Sequence, residues 1–335
     1  MQNKFIFIKF WSLVVTVSLI LLMGICFLPH DLYLRYKSLD IGTYTKAKWM
    51  YERVVFDETP IDIAFIGTSH TLNSIDSEIV QNGLGRLSEN DIHVVNFAIP
   101  HFGRDMHLVL TKLLIKHKKI KLLVVEVRES EARDMHPATH YLADPIDLLT
   151  APLFVNMRYF NNLSQLPLRQ VTLFFETNFP LLFSIKSMFD INDYLGAHLN
   201  YTILTKALKN RDFIMPVDTL LKRKKQYEVD NKDKLDRTSA LKTFVYFNSN
   251  RTTLSTLVST AKDNNVPVVF LYLPRFGGAL RSVDSSLYDS LGRIIIPPQS
   301  ILSDKSIWFD LGHLNSKGAT KISNWLPGEV FEYYR

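Results

Sequence analysis

Cysteine is nearly missing from this chain. The single one among 335 residues is Cys26, which excludes a disulfide framework and leaves everything beyond it without thiol chemistry. Internal repeats and low-complexity tracts are also lacking, which argues against solenoid arrays and extended disorder. The densest basic run, Lys222-Arg-Lys-Lys225, is short and carries no interleaved aromatics. The formal charge of +6 therefore reads as solvated helix faces and points away from nucleic acid as a partner. Long uncharged stretches are confined to one place, Phe10 to Pro29.

That one stretch is long enough to cross the hydrocarbon layer as a helix. Lys4 and Lys9 precede it, which favours a cytoplasmic N-terminus and export of the remainder, with Arg35 and Lys37 as opposing charges. No small-x-small cleavage site follows, and Ile25 stands before Cys26 where a lipoprotein signal needs a small residue. An uncleaved single-pass anchor in the cytoplasmic (inner) membrane, with an extracytoplasmic or periplasmic domain, is the expectation. Three regions follow: residues 1–30 as cytoplasmic tip and anchor, 31–60 as a juxtamembrane linker, and 61–335 as the main domain. With 47% hydrophobic and 21% charged residues, that domain has ample material for a core.

Residues 61–66 form a short β-branched apolar run that stops at Gly67, and Thr68-Ser69-His70 follows. Ser74 then opens an amphipathic segment to Leu84, so the stretch predicts strand, tight turn, helix. Further strands are predicted at His93–Ile99, Lys121–Val127, Pro267–Leu273 and Ser306–Phe309. Helices are predicted at Arg104–Lys118, Ala240–Asn264, about Asp284–Arg293 and Ser316 to about Phe331. This alternation implies an α/β fold with a parallel sheet and right-handed crossovers. The alternation lapses over about 130–239, an aromatic-rich helical insertion that reads equally as a lid, a membrane-apposed element or a helical layer on the sheet.

Ser69 thus stands at the carboxyl end of a strand, where open α/β sheets bind ligands and turn N–H groups can face an anion. Thr68 and Ser69 also suit plain helix capping. At the other end of the chain, Asp310-Leu-Gly-His313 sits between the last expected strand and the terminal helix. A carboxylate and an imidazole three residues apart in a turn can meet, the acid fixing the tautomer while the second nitrogen faces a hydroxyl. A serine needs such a base, because its hydroxyl is a weak nucleophile near neutral pH. His70, His101 and His107 lack carboxylate or thiol partners at ligand spacing, so no metal and no cofactor is expected.

Gly67-Thr68-Ser69, Asn96-Phe-Ala98 with Gly103, and Asp310-x-x-His313 together resemble the SGNH (GDSL-like) hydrolase superfamily over residues 61–129 and 240–330. The N-terminal anchor is similar to the membrane-tethered branches that include alginate O-acetylation proteins and the D-alanine transfer protein of teichoic acids. The resemblance implies a three-layer flavodoxin-like fold with Ser69 as nucleophile, His313 as base and Asp310 as its orienting carboxylate. It also implies oxyanion or substrate contacts from Asn96, Ala98 or Gly103. Thr68 replaces the family's aspartate, and Arg128 stands where an asparagine donor is the rule. Arg128 could donate to the oxyanion or pair with Glu129 or Glu131. Acyl transfer, acetyl foremost, to or from a cell-envelope polysaccharide is the implied activity, with a multispanning membrane acyltransferase as donor partner. The alternatives are an accessory or binding protein without turnover, and a simple esterase of small soluble esters.

Overall fold

Five short strands make one all-parallel sheet: β1 (Ile63–Ile66), β2 (Val94–Asn96), β3 (Leu122–Glu126), β4 (Val268–Leu271) and β5 (Arg293–Ile295). Their spatial order is β2-β1-β3-β4-β5, the doubly wound order of flavodoxin-like sheets, which reverses direction between β1 and β3. This computed structural model describes residues 2–39, 44, 46–88, 90–129, 135–153, 156–183, 185, 189–199, 211–232, 236 and 238–334.

The helices in chain order are α1 (Gln2–Cys26), α2 (Leu32–Lys37), α3 (Lys46–Val55), α4 (Ser69–Ser74), α5 (Ser77–Gly85), α6 (Arg104–His117), α7 (Thr139–Leu142), α8 (Pro145–Leu149) and α9 (Tyr159–Asn178). They continue as α10 (Val217–Asp230), α11 (Ala240–Asp263), α12 (Ser285–Leu291), α13 (Gln299–Leu302) and α14 (Ser316–Tyr334). The 21 residues Ile6–Cys26 of α1 are apolar enough and long enough to span a bilayer, and all but the last two, Ile25 and Cys26, stand exposed.

Side chains on a strand alternate between faces, so each central strand feeds two cores. Ala64, Ile66, Leu123, Val125 and Phe270 point into a core shared with α3, α6 and α11. Ile63, Phe65, Leu122, Val124 and Val269 point into a second core under α5 and α14. Because both faces are covered, β1, β2, β3 and β4 are buried throughout, which explains their near-continuous apolar sequences.

The described residues of 31–60, a stretch expected as a linker, pack onto the first core. Tyr33, Tyr36, Trp49 and Tyr51 are buried there, and the Tyr33 hydroxyl donates to Glu52 at 2.6 Å. The described part of the insertion is helical, as its aromatic-rich, turn-poor sequence suggests. It is tied to α2 by buried Arg35, which donates to Asp144 at 2.7 Å and to the Leu142 carbonyl at 3.3 Å. Phe154, Ser130 and Glu131 lie outside the described residues.

Two boundaries differ from the sequence pattern. The expected Ser74–Leu84 helix is split, because the Asp76 carboxylate accepts from the Glu78 and Ile79 N–H groups at 3.1 and 3.3 Å. That acidic cap starts α5 afresh and leaves α4 as a separate turn after Gly67. The expected strand at Ser306–Phe309 is absent. Asp304 instead caps a 3-10 turn, Lys305–Ile307, and Trp308 makes one antiparallel bridge with Leu314. The fifth strand is the short run Arg293–Ile295, which starts where the expected helix of about Asp284–Arg293 ends.

Phe270 is fully buried at the centre of the first core. Phe270→Ala should cost about 3–5 kcal/mol, read as a lowered urea midpoint of the detergent-solubilised protein by circular dichroism. An unchanged midpoint would contradict the packing described.

Candidate active site

Gly67 ends β1 and turns the chain against the end of β3. A Cβ placed on it would lie 2.3 Å from Thr71 Oγ1 and 2.5 Å from Glu126 Oε2, so only glycine fits this close approach. Thr68 then caps α4 by accepting from the His70 N–H at 3.3 Å, and Ser69 becomes the first residue of the helix. The turn that caps α4 is thus also the one that presents the Ser69 hydroxyl. The Ser69 N–H, at this first position, has no acceptor within its helix.

Glu126 holds that turn from below. Its carboxylate accepts from the Thr68 N–H at 2.6 Å, the Thr68 hydroxyl at 3.1 Å and the Thr71 hydroxyl at 2.7 Å. Arg128 closes the set with a 3.0 Å ion pair to Glu126, both side chains being almost wholly buried. Burial works to raise the Glu126 carboxyl, but Arg128, Thr71 and Thr68 outweigh it and hold it below the ordinary glutamate value. A buried carboxylate survives in this way only when charge and hydrogen bonds satisfy it together.

From the far end of the chain, the loop before α14 delivers the partners of Ser69. His313 Nε2 lies 2.8 Å from Ser69 Oγ, and His313 Nδ1 lies 2.8 Å from Asp310 Oδ2. Because an ionised carboxylate only accepts, the ring proton sits on Nδ1 and leaves Nε2 free to accept from the serine hydroxyl. Asp310 also accepts the N–H groups of Gly312 at 2.7 Å and His313 at 2.8 Å. Burial raises its carboxyl, and these bonds, that of the His313 ring first, more than offset it and hold it below the usual aspartate range. Asp310 and His313 remain about a quarter exposed, so the site is open to a substrate.

His70 packs edge-on to His313, ring centroids 4.9 Å apart. Burial first, then the charges of Arg128, His313 and Arg275, keep its pKa well below the ordinary value. It is a neutral ring that supports His313 without competing for its proton.

The other expected site residues have different work. Asn96 Nδ2 donates to the carbonyls of Thr71 and Ile75 at 3.2 and 2.9 Å, and its Oδ1 takes the Ala98 N–H at 3.0 Å. Asn96 is therefore a brace for the end of α4, and the Ala98 N–H is occupied and not aimed at an oxyanion. Gly103, at φ 143°, sits so close to the next segment that a Cβ on it would lie 2.3 Å from the His136 backbone nitrogen, a packing role at the start of α6. Arg128 pairs with Glu126 and not with Glu129, which accepts from the Val283 N–H at 2.8 Å. Its guanidinium lies 4.4 Å from the Phe102 ring centroid.

His70, His101 and His107 do not converge: His101 faces Tyr44 and His136, and His107 meets Arg104 at 3.1 Å. Among the described residues no group of three or more His, Cys, Asp or Glu side chains is placed to hold a metal ion. A cleft of about 500 Å³ is lined by Asn73, Asp76, His198 and Arg211 among others, with Ser69, His313 and Asp310 all outside its wall.

No family model matches the chain, and no curated protein matches it. The functional reading therefore rests on the geometry and the sequence. Glu126 is the residue that sequence reasoning missed as part of the site. Its signal was present as a lone acid closing the apolar run Leu-Leu-Val-Val, a place where a charge is costly unless it is used.

Glu126 has a depressed pKa, so its contribution to stability is complete above the unfolded-state pKa and is lost as pH falls through the lower folded value. Stability should fall on acidification below about pH 4, and Glu126→Gln should flatten that dependence in urea titrations across pH. At neutral pH the same change should cost about 3–5 kcal/mol, because Arg128 is left buried without its partner. An unaltered pH dependence would remove Glu126 from this role.

Proposed function

We propose that the chain is a membrane-anchored, extracytoplasmic SGNH-like serine enzyme that moves or removes an ester-linked acyl group, acetyl foremost, on a cell-envelope polysaccharide. The observation that carries this reading is the chain of contacts from Ser69 Oγ through His313 to Asp310, at 2.8 Å for each link. Support also comes from the position of Ser69 at the carboxyl edge of a doubly wound sheet, where such folds place their sites. The apolar helix α1 supports the anchor.

In this reading His313 Nε2 takes the Ser69 proton as Oγ attacks the ester carbonyl. The negative charge that develops on the carbonyl oxygen is met by the Ser69 N–H at the positive start of α4. Collapse breaks the bond to the leaving alkoxide, which receives the proton from His313 and departs as an alcohol. An acceptor hydroxyl, or water, then loses its proton to His313 and attacks the acyl-Ser69 ester, regenerating the serine. With a sugar hydroxyl the outcome is transfer, and with water it is removal. The anchor suits a donor brought by a multispanning membrane partner.

A second reading is an accessory protein of polysaccharide modification or export that keeps the fold without turnover. It is favoured by the occupied Ala98 N–H and by the commitment of Arg128 to Glu126. Loss of one oxyanion donor typically costs about 2.7–4 kcal/mol in the transition state.

Incubating the full-length protein with an activated acetyl ester should give an acetyl adduct on Ser69 by mass spectrometry. Ser69→Ala should remove the adduct, and Asp310→Asn should slow its formation about 10⁴-fold. Carbohydrate binding that survives Ser69→Ala with no adduct in the parent protein would establish the accessory reading instead.

A further inference from the structure

Helix α9 is apolar on two opposite faces. One face, with Leu166 and Leu173, is buried against the domain. The other carries Leu168, Phe175 and, at the C-cap, Phe179, at spacings of seven and four that align them on one stripe. These are exposed, and the turn that follows, Pro180–Phe183, continues the patch with Leu181 94% and Leu182 79% exposed. A contiguous apolar surface of this kind marks an interaction site.

The position of the patch identifies what covers it. Gln170 Nε2 donates to the carbonyls of Cys26 and Leu28 at 3.0 and 3.4 Å. Further along α9, Thr177 Oγ1 accepts from the Asp31 N–H at 3.0 Å. The second half of α9 therefore lies against residues 26–31, the point at which an inserted α1 leaves the hydrocarbon. Phe179 follows Thr177 by two residues, about 3 Å of helix rise, so the patch begins beside the contact with Asp31. Phenylalanine and leucine side chains at such a level enter the boundary between headgroups and acyl chains, to a depth of about 5–10 Å.

We infer that the outer face of α9 and the turn Pro180–Phe183 rest in the surface of the same bilayer that α1 crosses. The occupant is lipid, because the patch continues the lipid-exposed surface of α1 and carries the same residue types. The inference rests on the reading of α1 as an anchor and would give the domain a second, interfacial hold on the membrane beside the spanning one.

Depth-resolved fluorescence quenching tests it. Full-length protein with Cys26→Ala and one further change, Leu181→Cys, Leu19→Cys or Asn324→Cys, is labelled with an environment-sensitive NBD fluorophore. It is then reconstituted in phosphatidylcholine and phosphatidylglycerol vesicles containing spin-labelled phospholipid. Asn324 is exposed on α14, in the layer on the opposite face of the sheet. The Leu181 probe should shift to the blue and lose intensity to lipids labelled near the headgroup, the Leu19 probe to lipids labelled near the chain end, and the Asn324 probe to neither. Quenching at Leu19 without quenching at Leu181 overturns the surface contact and leaves the anchor standing. A Leu181 probe that is blue-shifted yet unquenched shows protein over the patch and also overturns it. No quenching at Leu19 overturns the anchor and the surface contact together.

Discussion

The carboxylate of Glu126, buried at the carboxyl end of β3, determines where Ser69 can stand. It gathers the N–H and hydroxyl of Thr68 and the hydroxyl of Thr71, so it reaches both ends of the turn that carries the serine. Strand β3 is hydrogen-bonded to β1 in parallel register, and the bolt joins the two strands again just beyond their last shared pair. Gly67 permits the approach and Arg128 neutralises the charge. Remove any of the three and the turn loses either its room, its holder or its balance.

Once Ser69 is fixed from below, the remaining problem is to bring a base to it from a distant part of the chain. The loop from Trp308 to Leu314 is closed by a single bridge between those two residues, and the buried Trp308 indole donates to the Leu302 carbonyl at 3.3 Å. Within that small closed loop Asp310 accepts two backbone N–H groups as well as the His313 ring. The acid therefore shapes the loop and orients the imidazole with one set of bonds. His70 completes the arrangement as a neutral neighbour packed edge-on to the His313 ring.

The layered α/β organisation was legible from sequence because β1 to β4 are buried on both faces, and such strands read as unbroken apolar runs. The meeting of Ser69, His313 and Asp310 was legible because glycine, serine, aspartate and histidine stood at turns flanking regular elements. What sequence reasoning did not foresee depends on through-space partners. Arg128 pairs with Glu126, two residues away on the same strand end, and not with Glu129, because Glu126 is buried and needs a cation. Ala98 lost its N–H to Asn96, a local bond that competes with any ligand. The fifth strand was hidden because Arg293-Ile-Ile is too short for periodicity to separate from the end of a helix.

Between the apolar helix and the first strand of the sheet there is no slack among the described residues. Cys26 at the end of α1 is already part of the first core, and α2 and α3 bury tyrosines and a tryptophan beneath the sheet within the next thirty residues. A catalytic domain on a flexible tether sweeps a volume, whereas one mounted on a bracket works at a single height. With α1 in a bilayer, the triad would ride at a fixed distance and tilt above the lipid. If the proposed acyl transfer is its activity, it would meet acceptors through lateral diffusion in the plane of the membrane, and a polymer would be modified only where its chain passes through that thin layer.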